Sequence, residues 1–175
     1  MPSVYLISDT HFGHNNICKF TYNNGSKLRP WNNADEMDEA LIEKWNAVVK
    51  PKDKVYHLGD VAIPRRGLQI LYRLNGDKVL IKGNHDIYKL DDYTKHFRDI
   101  RAYHVMDRMI LSHIPIHAES KGRFKANIHG HLHGLRVHVN NQIDPFYFCV
   151  AAENIGFAPV LFEQVRETID KERVM

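Results

Sequence analysis

The chain has 175 residues, 43% hydrophobic and 26% charged, which is enough apolar content for one buried core and excludes the disordered and fibrous classes. A formal charge of +3 can favour anionic substrates but is too small for a dedicated nucleic-acid or membrane surface, and no apolar run approaches the roughly 20 residues of a membrane helix. Two cysteines, Cys18 and Cys149, sit in or beside apolar sequence and read as reduced core residues rather than a disulfide framework; twelve histidines are the outlying number.

The chain opens on MPSVYLISD, without a basic leader or cleavage site, so a cytoplasmic location is expected. The run VYLIS at 4–8 reads as a strand, and the asparagine-rich stretch 15–33 is long for a connection, which marks it as a functional loop. A helix follows, capped by Asn33 or Asp35 and ended by Pro51, with Met37, Leu41, Ile42, Trp45, Val48 and Val49 as one apolar stripe. KVYHL at 54–58 reads as a strand, Gly67 to Leu74 as a short helix stopped by Asn75-Gly76, and KVLIK (78–82) and RMILS (108–112) as two further strands. FYFCVA at 146–151 reads as a late buried strand, and 159–172 as a closing helix with Leu161, Val165 and Ile169 inward. Strands alternating with helices predict an α/β domain, and no repeat or linker divides it.

Polar residues follow each strand in turn. They are Asp9 and His11 in SDTHFGH, Asp60 in LGDV, Asn84, His85 and Asp86 in KGNHD, and His113 in SHIP. The stretch NIHGHLHG adds His129, His131 and His133 at every second position; in an extended chain these rings share one face, either to converge on a metal or to face water. Ligands of open α/β sheets bind beyond the carboxyl ends of the strands, so these side chains are expected at one rim. Taken singly, Asp9 and Asp60 also fit caps, Asn84 a turn and His113 strand-end packing. Taken together they form a thiolate-free oxygen and nitrogen set that suits manganese first, and iron, zinc or nickel. More than four candidate ligands point to two divalent ions rather than one structural zinc.

In order, DTH, GD, GNHD, SH and GHLH resemble the calcineurin-like metallophosphoesterase superfamily. DTHFGHNNI, RPW, EMDEALIEKWNAVV, KVYHLGD and IKGNHD are similar to its small bacterial and phage phosphoesterases. The resemblance runs from residue 4 to about 165. It implies a single-domain, four-layer α-β-β-α sandwich with one ion on Asp9, His11 and His133, the other on Asn84, His113 and His131, and Asp60 bridging. It implies hydrolysis of a phosphate ester, a nucleotide among the candidates, by a hydroxide bridging the ions. It places His85 at the substrate as proton donor, with Asp86 orienting it or supporting the metals. His129 would be the spare ring and Leu132 would point into the core.

Of the remaining histidines, His14 and His117 flank proposed ligands and are the substrate candidates, while His57 reads as core or support behind the site. Arg29, in the long loop, is either a phosphate anchor or a solvated charge. A phosphodiester is the preferred substrate, with a phosphomonoester or nuclease activity as the alternative. A metallo-β-lactamase-like hydrolase lacks support because its His-x-His-x-Asp-His motif is absent, and a non-catalytic scaffold would not need the full set.

Overall fold

The computed structural model describes residues 2–172. Five strands form the first sheet. β1 (Val4–Ile7), β2 (Lys54–His57), β3 (Asp77–Ile81) and β4 (Asp99–Arg101) run parallel, and β11 (Val160–Leu161) adds antiparallel to β1, giving the order β11-β1-β2-β3-β4. The second sheet has the order β10-β7-β6-β5, from β5 (His104–Met106), β6 (Met109–Leu111), β7 (Ala126–His129) and β10 (Tyr147–Cys149). β8 (His138–Val139) and β9 (Gln142–Ile143) form a separate hairpin.

Alternation along each strand decides which core a residue enters. Leu6, Tyr56, Leu58, Val79 and Ile81 face Met109, Leu111, Ala126, Ile128 and Val150 across the two sheets. Ile7, Val55 and Leu80 face outward into a second core with Met37, Leu41, Ile42 and Trp45. Those four lie on α1 (Ala34–Val48), and burying each contributes about 1.5–3 kcal/mol. Asn33 is the cap, accepting from Glu36 N at 2.9 Å. Val48 departs from the expected stripe and is exposed, while Val49, just beyond the helix, is buried.

Three expected elements differ in form. The segment after the second strand is a 3-10 helix over Arg65–Arg73, begun after Pro64 rather than at Gly67. The closing helix α3 covers Phe162–Glu172, because Val160 and Leu161 are used as an edge strand against Leu6 and Tyr5; Phe162 takes the inward place expected of Leu161. The 15–33 stretch is anchored, with a 3-10 turn at Asn15–Lys19 that buries Ile17 and Cys18. Both cysteines are buried and free, as core residues should be. A short helix α2 (Leu90–Tyr93) puts Tyr93 into the outer core. Over the far face of the second sheet the chain is irregular: Ile116 accepts from Tyr147 Oη and donates to Asn127 Oδ1. The whole is one α/β domain of two packed sheets, with α1 and α2 in the outer core of the first sheet and α3 packing Phe162, Val165 and Ile169 into the core between the sheets.

At one rim the sheets are stitched together. Ser8 N donates to Val150 O and Ala152 N to Ser8 O, so the ends of β1 and β10 run side by side although they belong to different sheets. The chain leaving β1 also runs beside the chain leaving β2, through His11 N to Asp60 O and Phe12 N to Val61 O.

Candidate metal centre

Asp9, His11 and His133 form one group of converging donor atoms, and Asp60, His113 and His131 a second. Asn84 joins the second, its Oδ1 lying 2.8 Å from His113 Nε2 and 3.0 Å from His131 Nδ1. Asp60 lies between the groups, its Oδ2 3.7 Å from His11 Nε2 and 3.4 Å from His113 Nε2.

Asp9, Asp60 and His113 are each aimed by a further hydrogen bond. Asp9 Oδ2 accepts from Ser8 Oγ at 2.6 Å and from His131 N at 2.9 Å, leaving Oδ1 directed at His11 Nε2, 3.8 Å away. Asp60 Oδ1 accepts from His85 N at 2.8 Å, leaving Oδ2 free. His113 Nδ1 donates to Leu58 O at 2.7 Å, so the lone pair is on Nε2. Gly130 lets the strands close, because a Cβ there would lie 1.9 Å from Ser8 Oγ and 2.5 Å from Asp9 Oδ2.

Asp9, His11, Asp60, His131 and His133 all have positive φ, between 49° and 67°. This corrects the reading of the three alternating histidines. β7 ends at His129, and His131 and His133 approach each other's neighbours through a turn of left-handed residues rather than along one strand face. Leu132 accordingly is half-buried on a cleft wall rather than in the core, and His129 is buried, with Nδ1 bonded to Gly130 O.

Electrostatics favour a cation. Burial raises the Asp9 carboxyl, but the nearby imidazoles of His11, His113 and His133 outweigh that and hold it below the usual range. Burial lowers both His11 and His131, keeping them neutral with lone pairs to offer. For His113, burial is overcome by the Asp60 contact and the value rises. Asp9 Oδ1 and both His11 ring nitrogens are buried without a hydrogen-bond partner, an arrangement costing about 1–3 kcal/mol per group that a divalent ion would relieve. The first donor group therefore fits a divalent cation, and the second brings together the same kinds of donor atoms.

Other expected site residues have different places. Arg29 is fully buried and is neither a phosphate anchor nor a solvated charge. Its guanidinium donates to Thr10 O at 2.8 Å, Asp9 O at 2.5 Å and Glu153 Oε1 at 2.8 Å. Asp86 is buried with its oxygens accepting from the amides of Asp60, Val61 and Gly83, which fixes the two loops to each other and puts it in contact with the Asp60 backbone rather than with the His85 ring. His85 is exposed, its ring 5.7 Å from that of His11. His14 is half-buried at the same distance from His11, and burial pushes its pKa down to about 4. His117 is exposed and caps a turn through Glu119 N at 3.3 Å. His57 is buried, bonded to Thr10 Oγ1 at 2.9 Å, and burial pushes it down to about 3.

Glu153 is the residue that sequence reasoning missed. Its buried Oε1 lies 3.1 Å from His133 Nδ1 and is held by Arg29, so His133 donates through Nδ1 and presents Nε2 to the cluster. The signal was there: Glu153 follows the FYFCVA strand just as the ligands follow theirs. Glu153→Gln is expected to weaken binding of one ion about 10–100-fold, read by metal titration of the folded variant. Unchanged affinity at both sites would show that His133 needs no such brace.

Among the described residues no helix is long and apolar enough to cross a membrane. An uncharacterized protein of Methanocaldococcus jannaschii is 34% identical over 187 residues, spanning 100% of this chain and 96% of that protein. A protein of unknown function from Aquifex aeolicus has a crystal structure with a TM-score of 0.68 at 24% identity, over 95% of this chain and 99% of that one, which shows the shared fold. An archaeal phosphodiesterase is a remote match, with a TM-score of 0.45 and 17% identity over 85% of this chain and 82% of that one. The sequence pattern of the calcineurin-like phosphoesterases matches residues 2–160, a span that includes every strand end feeding the cluster, and the chain belongs to that family.

Proposed function

We propose that this phosphoesterase hydrolyses phosphodiesters with two divalent transition-metal ions, manganese foremost. One would be held by Asp9, His11 and His133, the other by Asn84, His113 and His131, and both by Asp60. The observation that carries the reading is the position of Asp60 Oδ2, within 3.7 Å of a histidine nitrogen from each donor group. When bound, the ions supply Lewis acidity toward phosphoryl oxygens and make water more acidic. The protein residues do the rest. The two aspartates balance part of the cationic charge, the neutral imidazoles fix positions, and His85 at the exposed rim gives a proton to the departing alkoxide oxygen.

Charge supports a diester. Two divalent ions bring +4 and the two aspartates −2, so a diester monoanion together with one anionic nucleophile neutralises the inner site, whereas a monoester dianion overshoots. Arg29 cannot make up the difference, because its guanidinium is committed to Glu153 and two backbone carbonyls.

The test is turnover of bis-p-nitrophenyl phosphate and p-nitrophenyl phosphate by stripped protein reloaded with each metal, with metal content measured alongside. Expected are close to two ions per chain, loss of activity on chelation and a higher kcat/KM for the diester at neutral pH. One ion per chain with full activity would sink the dinuclear reading, and a clear monoester preference would make the protein a phosphomonoesterase.

A further inference from the structure

Beside the metal centre lies a cleft of about 610 Å³, within the range of about 300–1,000 Å³ usual for small-molecule sites. One wall is the Thr21–Asn24 stretch of the long loop with Leu28; the other is the turn His131–Leu135, which carries two of the expected metal ligands. A group seated there is therefore joined to the metal centre through a wall they share.

The chemistry of the walls narrows the occupant. The lining contains no Asp, Glu, Lys or Arg, so a second phosphate or a carboxylate finds no counter-charge. Leu28, Leu132 and Leu135 give apolar surface, and Leu135 is 64% exposed, an uncovered face beside a polar centre. Tyr22 supplies an aromatic ring held in place: a Cβ on Gly134 would lie 2.1 Å from Tyr22 Oη and 2.5 Å from Cε1, so the ring rests on bare backbone. Two amides complete the set. Asn23 has no hydrogen-bond partner among the described residues, and Asn24, whose Oδ1 accepts from Ser26 N and Oγ, keeps its NH2 as a donor. An acyl chain has no use for two amides, and a bare sugar has little for three leucines and a ring. A nucleobase uses all of them, stacking on the ring and leucines and pairing its edge with amide donors and acceptors.

We propose that this cleft is a nucleobase subsite and that the substrate is a phosphodiester of a nucleoside. This deepens the phosphodiesterase reading and rests on it.

Two measurements separate the claims. Adenosine, which has no phosphate, is titrated into the zinc-loaded protein by NMR, with ribose as control; adenosine is expected to shift resonances of Tyr22 and Leu135, and ribose is not. In parallel, kcat/KM is compared for thymidine 5′-(p-nitrophenyl phosphate) and methyl p-nitrophenyl phosphate, which share a leaving group. The nucleoside ester is expected to be favoured about tenfold or more, and Tyr22→Ala or Leu135→Asp to bring that ratio toward one. Turnover of both diesters at equal efficiency, with no adenosine binding, overturns the subsite and leaves the phosphodiesterase reading intact. Adenosine binding without turnover of either diester overturns the phosphodiesterase reading and keeps the cleft assignment.

Discussion

Asp60→Asn is expected to reduce turnover by at least about 10³-fold and to lower metal content below two ions per chain, a larger loss than substitution of a ligand belonging to one group only. The reason is geometric. Asp60 Oδ1 is engaged by the amide of His85 at 2.8 Å, and Oδ2 alone faces both His11 and His113. An introduced amide must keep its oxygen as acceptor for His85 N, so its NH2 turns toward the two imidazoles, where it can neither ligate nor carry charge. The fold should survive, since the side chain is isosteric and Asp86 still holds the loop through the Asp60 and Val61 amides. Metal analysis beside a thermal melt reads the two effects apart. A variant with two ions and normal rates would remove Asp60 from its shared role.

His85→Ala is expected to keep both ions and lose about 10²–10⁴-fold in turnover, through loss of a proton donor. The two outcomes separate because His85 supports Asp60 with its backbone amide, which alanine retains, while its side chain is exposed near His11. The loss should shrink as the leaving alcohol becomes more acidic, since such a group departs without help. Plotting log kcat against leaving-group pKa gives the measurement: the variant should show a steeper slope than the parent. Parallel lines would mean that the imidazole positions or stabilises the phosphoryl group without giving up a proton.

What could be read from the sequence followed the sheet. β1, β2 and β3 announce themselves by β-branched runs, and each run ends in residues with cluster chemistry, so Asp9, Asp60 and Asn84 could be found without coordinates. The short strands β4, β5, β8 and β9 carry too few residues to show a period, and pairing partners define them. The spacing His-x-His-x-His suggested one strand, although the backbone between the last two rings is a turn, because alternation in sequence says nothing about φ. Arg29 looked like a loop charge because its partners, Glu153 and the carbonyls of Asp9 and Thr10, are remote in sequence or belong to backbone. Glu153 stands after a strand as the ligands do, but its pairing with His133 and Arg29 was hidden for the same reason, as it depends on the stitching of β10 to β1.

The left-handed backbone at Asp9, His11, Asp60, His131 and His133 also bears on how such a protein would decay. An ordinary side chain in that region costs about 1–2 kcal/mol, and glycine relieves it, while asparagine and aspartate tolerate it better than most. For a lineage released from selection for turnover, drift away from these ligands is therefore downhill in stability, unlike drift in the cores, where truncation leaves a cavity. Copies that have lost the chemistry should thus carry glycine at these positions, or asparagine in place of the histidines, on an otherwise intact sandwich, and should melt at higher temperature than the metal-free parent.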